Sequence, residues 1–195
     1  MTSSSHLSIA VFCGSRFGNN PAFRTAGEQL GRALADTGKR LVYGGGQVGL
    51  MGVIADAVIK AGGDVFGVIP AFLQRREVAH QGPVALVVTD TMHDRKRRMF
   101  EAADAFVIMP GGIGTFDEAI EITTWAQLGL HDKPIFVVDI AGWARPYLAM
   151  IEAAIETGFA PAETRNLYQI VPDVPALMHH LATLTRPAMG QPERV

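Results

Sequence analysis

The segment PGGIGTFDE, at residues 110–118, is the most informative part of this sequence. It follows an apolar run at residues 105–109 that is typical of a buried strand, and it leads into a helical pattern at residues 115–128. Glycines in such a turn let backbone N–H groups approach an anion, and the helix N-terminus adds about half a positive charge. The turn therefore predicts a phosphate site. It also places Glu118 in the first helical turn, where a carboxylate beside an anion indicates a role in chemistry or sugar recognition.

Apolar runs alternate with helical patterns on both sides of this stretch. The strand-like runs cover residues 8–13, 40–43, 64–69, 85–88, 105–109, 134–139 and 168–171, and the helical patterns cover 21–37, 49–61, 94–103, 115–128, 143–157 and 175–184. The runs lack a clean two-residue alternation, as expected for strands covered on both faces. The order predicts a three-layer, Rossmann-like α/β fold with a mostly parallel sheet. We expect a single nucleotide-binding domain over residues 1–195, with flexible ends at residues 1–7 and 186–195.

Three small-residue loops follow strands of this predicted sheet, at residues 14–16, 44–46 and 111–114. Ligands of such sheets bind beyond the carboxyl ends of the strands, so the loops predict one composite site. The second loop places Gly44, Gly46 and Gly49 in the spacing G-x-G-x-x-G. It is either a nucleotide-facing loop or a tight turn that lets strand and helix pack closely. Because it follows the second strand rather than the first, it is weak evidence for NAD.

Two clusters of charged residues flank the predicted phosphate site, the phosphate cradle at residues 110–118. One cluster is MHDRKRRM, residues 92–99. Arg95 and Lys96 lie near the start of a predicted helix, which we expect at the edge of the sheet where ligands bind. Arg97 and Arg98 suit a solvent-exposed face of that helix. A guanidinium is well shaped to recognise phosphate or an electron-rich base. On the other helix, Glu118 and Glu121 share a face. They either divide acid and base roles, or Glu121 forms a structural ion pair with a nearby arginine.

Composition narrows the class of partner. The formal net charge of −2 gives no electrostatic reason to expect nucleic acid or a membrane surface. No window reaches the roughly 18 consecutive apolar residues of a membrane span. Residues 1–6 form a short polar stretch without the apolar run of a signal peptide. We therefore expect a cytoplasmic protein. The single cysteine, Cys13, lies in an apolar run, and the histidines lack metal-ligand spacing such as H-E-x-x-H. We expect neither a metal nor a cofactor.

Taken together, these motifs resemble the Lonely Guy (LOG) family, whose members are often labelled lysine decarboxylase-like. PGGxGTxxE at residues 110–118, preceded by MHxRK at residues 92–96, carries the resemblance. It is supported by FCGS at residues 12–15, YGGG at residues 43–46 and TWAQLG at residues 124–129. The similarity runs from about residue 9 to residue 171, nearly the whole chain.

The resemblance implies a phosphoribohydrolase that cleaves the N-glycosidic bond of cytokinin riboside 5′-monophosphates, AMP or both, giving free base and ribose 5-phosphate. Arg95 and Glu118 match the family's catalytic pair. Residues that match its substrate contacts are Glu77, Lys96, Gly112, Ile113, Gly114, Thr115 and Thr124. The composite-site argument adds Ser15, Gly44 and Gly45 as candidate substrate contacts. The resemblance also implies a homodimer with the site near the subunit interface.

Two other functions remain open. A nucleotide or molybdenum-cofactor carrier of the same fold would keep the phosphate cradle without turnover. A decarboxylase would need pyridoxal held by one of the lysines, Lys39, Lys60, Lys96 or Lys133. The combination of Arg95 and Lys96 with Glu118 favours the hydrolase.

Overall fold

The computed structural model describes residues 6–74 and 79–185 of the 195-residue chain. These residues form a seven-stranded sheet in the order β4-β3-β2-β1-β5-β6-β7, and every pairing between its strands is parallel. The strands are β1 (Ser8–Phe12), β2 (Arg40–Tyr43), β3 (Val65–Pro70), β4 (Ala85–Thr89), β5 (Ala105–Ile108), β6 (Ile135–Val138) and β7 (Gln169–Val171). The predicted parallel α/β fold is confirmed.

Helices cover both faces of the sheet. They are α1 (Pro21–Asp36), α2 (Gly49–Lys60), α3 (Met92–Ala102), α4 (Ile113–Gln127), α5 (Arg145–Glu156) and α6 (Val174–Thr183). Each predicted element is present, with ends displaced by about two residues or fewer. Local chemistry sets these ends. The Asn20 carboxamide oxygen, for example, accepts from the N–H of Ala22 at 3.0 Å, and Pro21 occupies the first turn of α1.

Burial on both faces explains why the strands lack alternation. In β1, Ile9 and Val11 face the apolar layer beneath α1, α2 and α6, while Ala10 and Phe12 face the layer beneath α3, α4 and α5. All four side chains are buried. A strand with an apolar layer on each side has no solvent face on which to place polar residues.

The sheet order fixes where a ligand can bind. From β1 the chain continues to β2 on one side, whereas β5, on the other side of β1, leads to β6. The loops after β1 and β5 therefore diverge to opposite faces and leave a crevice at the carboxyl ends of these strands. Such a switch point is the usual ligand position in open α/β sheets.

One glycine sets the distance between α1 and α2 behind this crevice. A Cβ added at Gly31 would lie 2.5 Å from the carbonyl oxygen of Ile54 and 2.6 Å from the Cβ of Ala57. One turn earlier, a Cβ at Gly27 would meet only side chains, the nearest atom being Cγ1 of Ile54 at 3.3 Å. The helices therefore approach backbone to backbone at Gly31.

We expect Gly31→Ala to lower the free energy of unfolding by about 1–3 kcal/mol, because the backbone of α2 cannot yield to the added methyl group. Gly27→Ala is the matched control. There the side chain of Ile54 needs to shift by only a few tenths of an ångström, and alanine improves helix propensity by up to about 1 kcal/mol. Urea denaturation measures both changes. An equal loss of stability in the two variants would contradict the backbone contact.

Candidate active site

The crevice at the ends of β1 and β5 opens into a cavity of about 650 Å³. Its walls come from the β1–α1 loop at residues 13–18, from the β5–α4 loop and the first turn of α4 at residues 110–115, and from Arg95, Glu118 and Trp143. Loops separated by about 100 residues in the sequence meet here because β1 and β5 are neighbours in the sheet.

The start of α4 lies at the wall of this cavity, where the sequence predicts an anion cradle. The first intrahelical bond runs from the N–H of Phe116 to the carbonyl of Gly112 at 3.1 Å, so the N–H groups of Ile113, Gly114 and Thr115 precede it. A Cβ added at Gly112 or Gly114 would meet nothing within 4 Å, so these glycines are open to the cavity rather than packed. The cradle is therefore a helix N-terminus suited to an anion.

The helix begins two residues earlier than the sequence pattern predicts, at Ile113 rather than Thr115. The expectation that Glu118 lies in the first turn is therefore wrong, since it lies in the second. The physical reason is that the N–H groups of the first helical turn make no hydrogen bond within the helix. Gly114 is therefore tolerated there despite the low helix propensity of glycine. From the second turn, Glu118 still lines the cavity.

A backbone junction joins the two loops of the crevice. The N–H of Gly14 donates to the carbonyl of Pro110 at 3.0 Å, and a Cβ at Gly14 would lie 3.2 Å from the Cα of Gly111. A Cβ at Gly111 would overlap the hydroxyl of Thr115, which is itself buried. Neither glycine can carry a side chain without opening the crevice.

The Gly44–Gly46 loop is not part of the cavity wall. All three glycines are buried, and the N–H of Leu50, at the start of α2, donates to the carbonyl of Gly14 at 3.0 Å. Gly45 has φ of +76°, and a Cβ there would lie 2.9 Å from Leu86. The tight-turn interpretation is the one the structure supports. The sequence predicts that Gly44 and Gly45 face the ligand, but neither lines the cavity. The space beside each glycine is occupied by protein atoms, from Arg95 at Gly44 and from Leu86 at Gly45.

Gly44 instead positions Arg95. The guanidinium Nη2 of Arg95 donates to the carbonyl of Gly44 at 3.3 Å, and a Cβ at Gly44 would lie only 2.0 Å from the same nitrogen. Arg95 is 5 % exposed and lines the cavity together with Glu118. The structure thus brings the two predicted catalytic residues to one cavity, with the arginine held in a buried, low-dielectric position.

The side chain of Lys96 points towards α4, whereas that of the preceding residue, Arg95, points towards the cavity. Its Nζ lies 2.7 Å from Asp117 Oδ2 and 3.3 Å from Glu121 Oε2, and its side chain is 13 % exposed. Burial disfavours its charge, but the two carboxylates outweigh that effect and raise the pKa of Lys96. The ion-pair interpretation of Glu121 is confirmed, with Lys96 rather than an arginine as partner.

The remaining predicted site residues divide into three groups. Ser15, Gly112, Ile113, Gly114 and Thr115 line the cavity. Lys96 and Thr124 do not, and the Thr124 hydroxyl, on an exposed part of α4, donates to the carbonyl of Ile120 at 2.7 Å. Glu77 lies outside the described residues.

Sequence analysis placed the loop at residues 14–16 in the composite site without naming Arg16 as a contact, and it did not single out Trp143. Arg16 lines the cavity from the β1–α1 loop, and Trp143 lines it from the start of the segment before α5. The indole N–H of Trp143 donates to the carbonyl of Gly111 at 3.0 Å. Neither belongs to a motif with a known mechanism. The signal for Arg16 was its place in the loop that follows β1, whereas no sequence signal pointed to Trp143.

Among residues 6–74 and 79–185, no three His, Cys, Asp or Glu side chains are grouped so that they could hold a metal ion. Over the same ranges, no helix combines the length and apolarity that crossing a membrane requires.

Fold and site together define a Rossmann-like α/β protein with an anion cradle at its topological switch point. Residues 51–181 match the family model described as "Possible lysine decarboxylase". The chain belongs to this family, the LOG family. It is 42 % identical over 173 residues to the "Probable cytokinin riboside 5′-monophosphate phosphoribohydrolase LOGL9" of Oryza sativa subsp. japonica, covering 89 % of this chain and 76 % of that protein. It is 41 % identical over 180 residues to LOG2 of Arabidopsis thaliana, a cytokinin riboside 5′-monophosphate phosphoribohydrolase, covering 92 % and 84 %.

A solved structure shares the fold at lower identity. The molybdenum cofactor binding protein of Rippkaea orientalis superposes with a TM-score of 0.69 at 21 % identity, covering 93 % of this chain and 98 % of that one. At this identity the similarity concerns the fold alone.

We expect Lys96→Met to lower the free energy of unfolding by about 1–2 kcal/mol, between the values for exposed and buried ion pairs, because Asp117 and Glu121 lose their shared cation. The folded pKa of Lys96 is raised, so its contribution is complete below the ordinary lysine pKa of about 10.4 and is lost as pH rises through the folded value. Urea denaturation of both proteins at neutral pH and at about pH 11 or above measures the difference.

Lys60→Met, at the exposed end of α2, controls for loss of a surface lysine and should change stability by no more than about 0.5 kcal/mol. A Lys96→Met effect that stayed constant across the alkaline range would contradict the ion pair as its source.

Proposed function

We propose that the protein hydrolyses the N-glycosidic bond of cytokinin riboside 5′-monophosphates, AMP or both, releasing free base and ribose 5-phosphate. The observation that carries the proposal is one cavity bordered by a helix N-terminus, a buried guanidinium and a carboxylate, namely the start of α4, Arg95 and Glu118. Relatives that are 41–42 % identical over most of the chain carry this activity in their names, which supports the same assignment here.

The 5′-phosphate occupies the cradle at the start of α4. The N–H groups of Ile113, Gly114 and Thr115 precede the first helical hydrogen bond, and the helix dipole adds about half a positive charge at the same place. Open space at Gly112 and Gly114 allows the phosphate oxygens to approach the backbone closely. With the phosphate held there, the ribose extends from the cradle into the cavity.

Glu118 and Arg95 then act on the two ends of the breaking bond. Cleavage builds positive charge at the anomeric carbon and negative charge on the departing base. The carboxylate of Glu118 stabilises the sugar cation, holds a ribose hydroxyl and orients the attacking water. The guanidinium of Arg95 neutralises charge on the base. The water oxygen forms a bond to the anomeric carbon, and the electrons of the broken N-glycosidic bond leave with the base. A proton from that water then protonates the departing base.

Burial makes the arginine effective in this role. Arg95 is 5 % exposed, and the Gly44 carbonyl at 3.3 Å holds one end of its guanidinium. A charge fixed in a low-dielectric site needs little reorganisation as the transition state forms, and one such contact is typically worth roughly 3–4 kcal/mol.

A pyridoxal-dependent decarboxylation does not fit the residues present. Lys39, Lys60, Lys96 and Lys133 all lie in the described ranges, and none lines the cavity. Lys96, the nearest in sequence to Arg95, is bound to Asp117 and Glu121. A Schiff base needs a neutral lysine amine that reaches the ligand, whereas these carboxylates raise the pKa of Lys96.

We further propose that the protein is a homodimer that pairs through the outer face of α4. Ile113, Ile120 and Leu128 are exposed large apolar residues on that face, at 87 %, 37 % and 66 %. Their spacing places them on one side of the helix together with Thr124. Thr124 matches a family substrate contact but lies away from the cavity of its own chain. A second copy seated on this face would bring Thr124 towards the site of its partner.

The expected cytoplasmic location, with neither nucleic acid nor a membrane as partner, stays a prediction. It is supported by the net charge of −2 and by the pattern of apolar residues.

Incubation with AMP and with isopentenyladenosine monophosphate, followed by chromatography, should show release of free base. We expect Glu118→Gln and Arg95→Ala each to reduce turnover by at least about two decades, because each removes one transition-state contact. Near-normal turnover by either variant would remove that residue from the mechanism. Binding of nucleotide without release of base by the unaltered protein would instead indicate a carrier.

Matched controls lie on the exposed side of α3. Arg98→Ala removes a guanidinium three residues beyond Arg95, and Glu101→Gln makes the same change as Glu118→Gln at a solvent-exposed position. We expect both to retain turnover within about twofold and to unfold at the same urea concentration as the unaltered protein.

Analytical ultracentrifugation tests the dimer. The unaltered protein should sediment at twice the monomer mass, and Leu128→Lys should raise the dimer dissociation constant by about tenfold or more, because it buries a charge in an apolar contact. Met150→Lys is a control at an exposed apolar position on α5 and should leave the dimer intact. A monomeric unaltered protein at micromolar concentration would refute the proposal.

A further inference from the structure

We infer that Trp143 is a positioning residue for the anion cradle. Its indole N–H holds the peptide between Gly111 and Gly112 in the orientation that offers an N–H, rather than a carbonyl oxygen, to the phosphate. The inference rests on the proposed phosphate position at the start of α4.

This peptide is the weak point of the cradle. It joins two glycines, so no side chain on either residue resists rotation of the peptide plane. Gly112 is exposed, and a Cβ there would meet nothing within 4 Å. On this inference the Gly112 N–H joins those of Ile113, Gly114 and Thr115 as a donor to the anion. A flip of the plane would replace it with the Gly111 carbonyl oxygen. The flipped peptide would repel the phosphate that the cradle is built to bind.

Trp143 blocks that flip directly. Its Nε1 lies 3.0 Å from the carbonyl oxygen of Gly111, a contact that spans 32 residues of sequence. No cis peptide bond occurs among the described residues, so the Gly112 N–H points opposite to the Gly111 carbonyl. Fixing the carbonyl on the indole therefore fixes the N–H on the other side of the plane.

Aromatic stacking fixes the position of the Trp143 indole ring. It stacks on Phe116 with centroids 5.4 Å apart and an interplanar angle of 12°, and Phe116 stacks on Tyr147 at 5.6 Å and 2°. Phe116, in the first turn of α4, thus stacks on two rings, those of Trp143 before α5 and Tyr147 in α5. The three rings join α4 to α5 and the segment before it, and leave the indole N–H aimed at Gly111.

The turn that delivers Trp143 is strained. Ala141 has φ of +53°, the one positive value among the described non-glycine residues, and Gly142 follows at +78°. A non-glycine residue in this region is sterically strained, because its Cβ crowds the backbone. The side chain of Asp139 holds the turn by accepting from the N–H of Ala144 at 2.8 Å. Strain of this kind is common where the backbone serves a binding site.

Trp143→Phe separates the N–H from the ring, because phenylalanine can keep the stack on Phe116 but cannot donate to Gly111. We expect its dissociation constant for ribose 5-phosphate, measured by isothermal titration calorimetry, to rise about tenfold. Binding of adenosine, which has no phosphate, should change by less than about twofold. A purely structural role for Trp143 would weaken both ligands alike, and that result would overturn the inference, as would unchanged ribose 5-phosphate binding.

Tyr147→Phe is the matched control, since it removes a polar hydrogen from the other end of the same stack without touching Gly111. It should bind ribose 5-phosphate as the unaltered protein does. If the unaltered protein binds no ribose 5-phosphate, the proposed phosphate site fails and this inference falls with it. Loss in Trp143→Phe alone supports both.

The unaltered protein provides a second test that does not depend on a variant folding. By nuclear magnetic resonance, ribose 5-phosphate should shift the Gly112 amide, while the Trp143 indole proton stays protected from exchange with water in the free and bound states. An indole proton that exchanges at the rate of an exposed tryptophan would overturn the inference.

Discussion

The close approach of two backbones, at Gly14 after β1 and Gly111 after β5, is the constraint on which the site depends. The Gly14 N–H is bonded to the Pro110 carbonyl, and its own carbonyl receives the start of α2 through Leu50. On the other side, Gly111 is packed by Thr115 and bonded by Trp143. A side chain at either glycine would separate β1 from β5 at their carboxyl ends. The crevice, the cradle and the position of α2 would all change together.

Helix α3 shows how one element serves two purposes with neighbouring cations. Successive residues of a helix point about 100° apart, so Arg95 and Lys96 face different surroundings. Arg95 turns towards the Gly44 carbonyl and the cavity, and Lys96 turns towards Asp117 and Glu121 on α4. The ion pair links α3, which carries Arg95, to α4, which carries Glu118. The lysine supports the site without lining it.

Several predictions from sequence were confirmed because they depend on local chemistry. The strands were recognisable from apolar runs, the start of α1 from Asn20 and Pro21, and the turn between β5 and α4 from its glycines. The glycines after β2 show the limit of this approach. G-x-G-x-x-G records only that a Cβ is excluded, and the excluding atom at Gly44 is the Arg95 guanidinium rather than a ligand. A pattern of missing side chains cannot state what fills the space.

From the sequence alone follow the α/β architecture and the placement of Arg95 and Glu118 at the carboxyl edge of the sheet, where both line the cavity. These follow from periodicity, from the rule that parallel strands end at one edge, and from motifs whose members lie close together in the chain. Only the tertiary structure decided that Gly44 supports Arg95, that Lys96 pairs with α4, and that Trp143 reaches Gly111. Each of these contacts joins segments about 20 to 50 residues apart. Their partners are set by the packing of whole elements, which local sequence patterns do not encode.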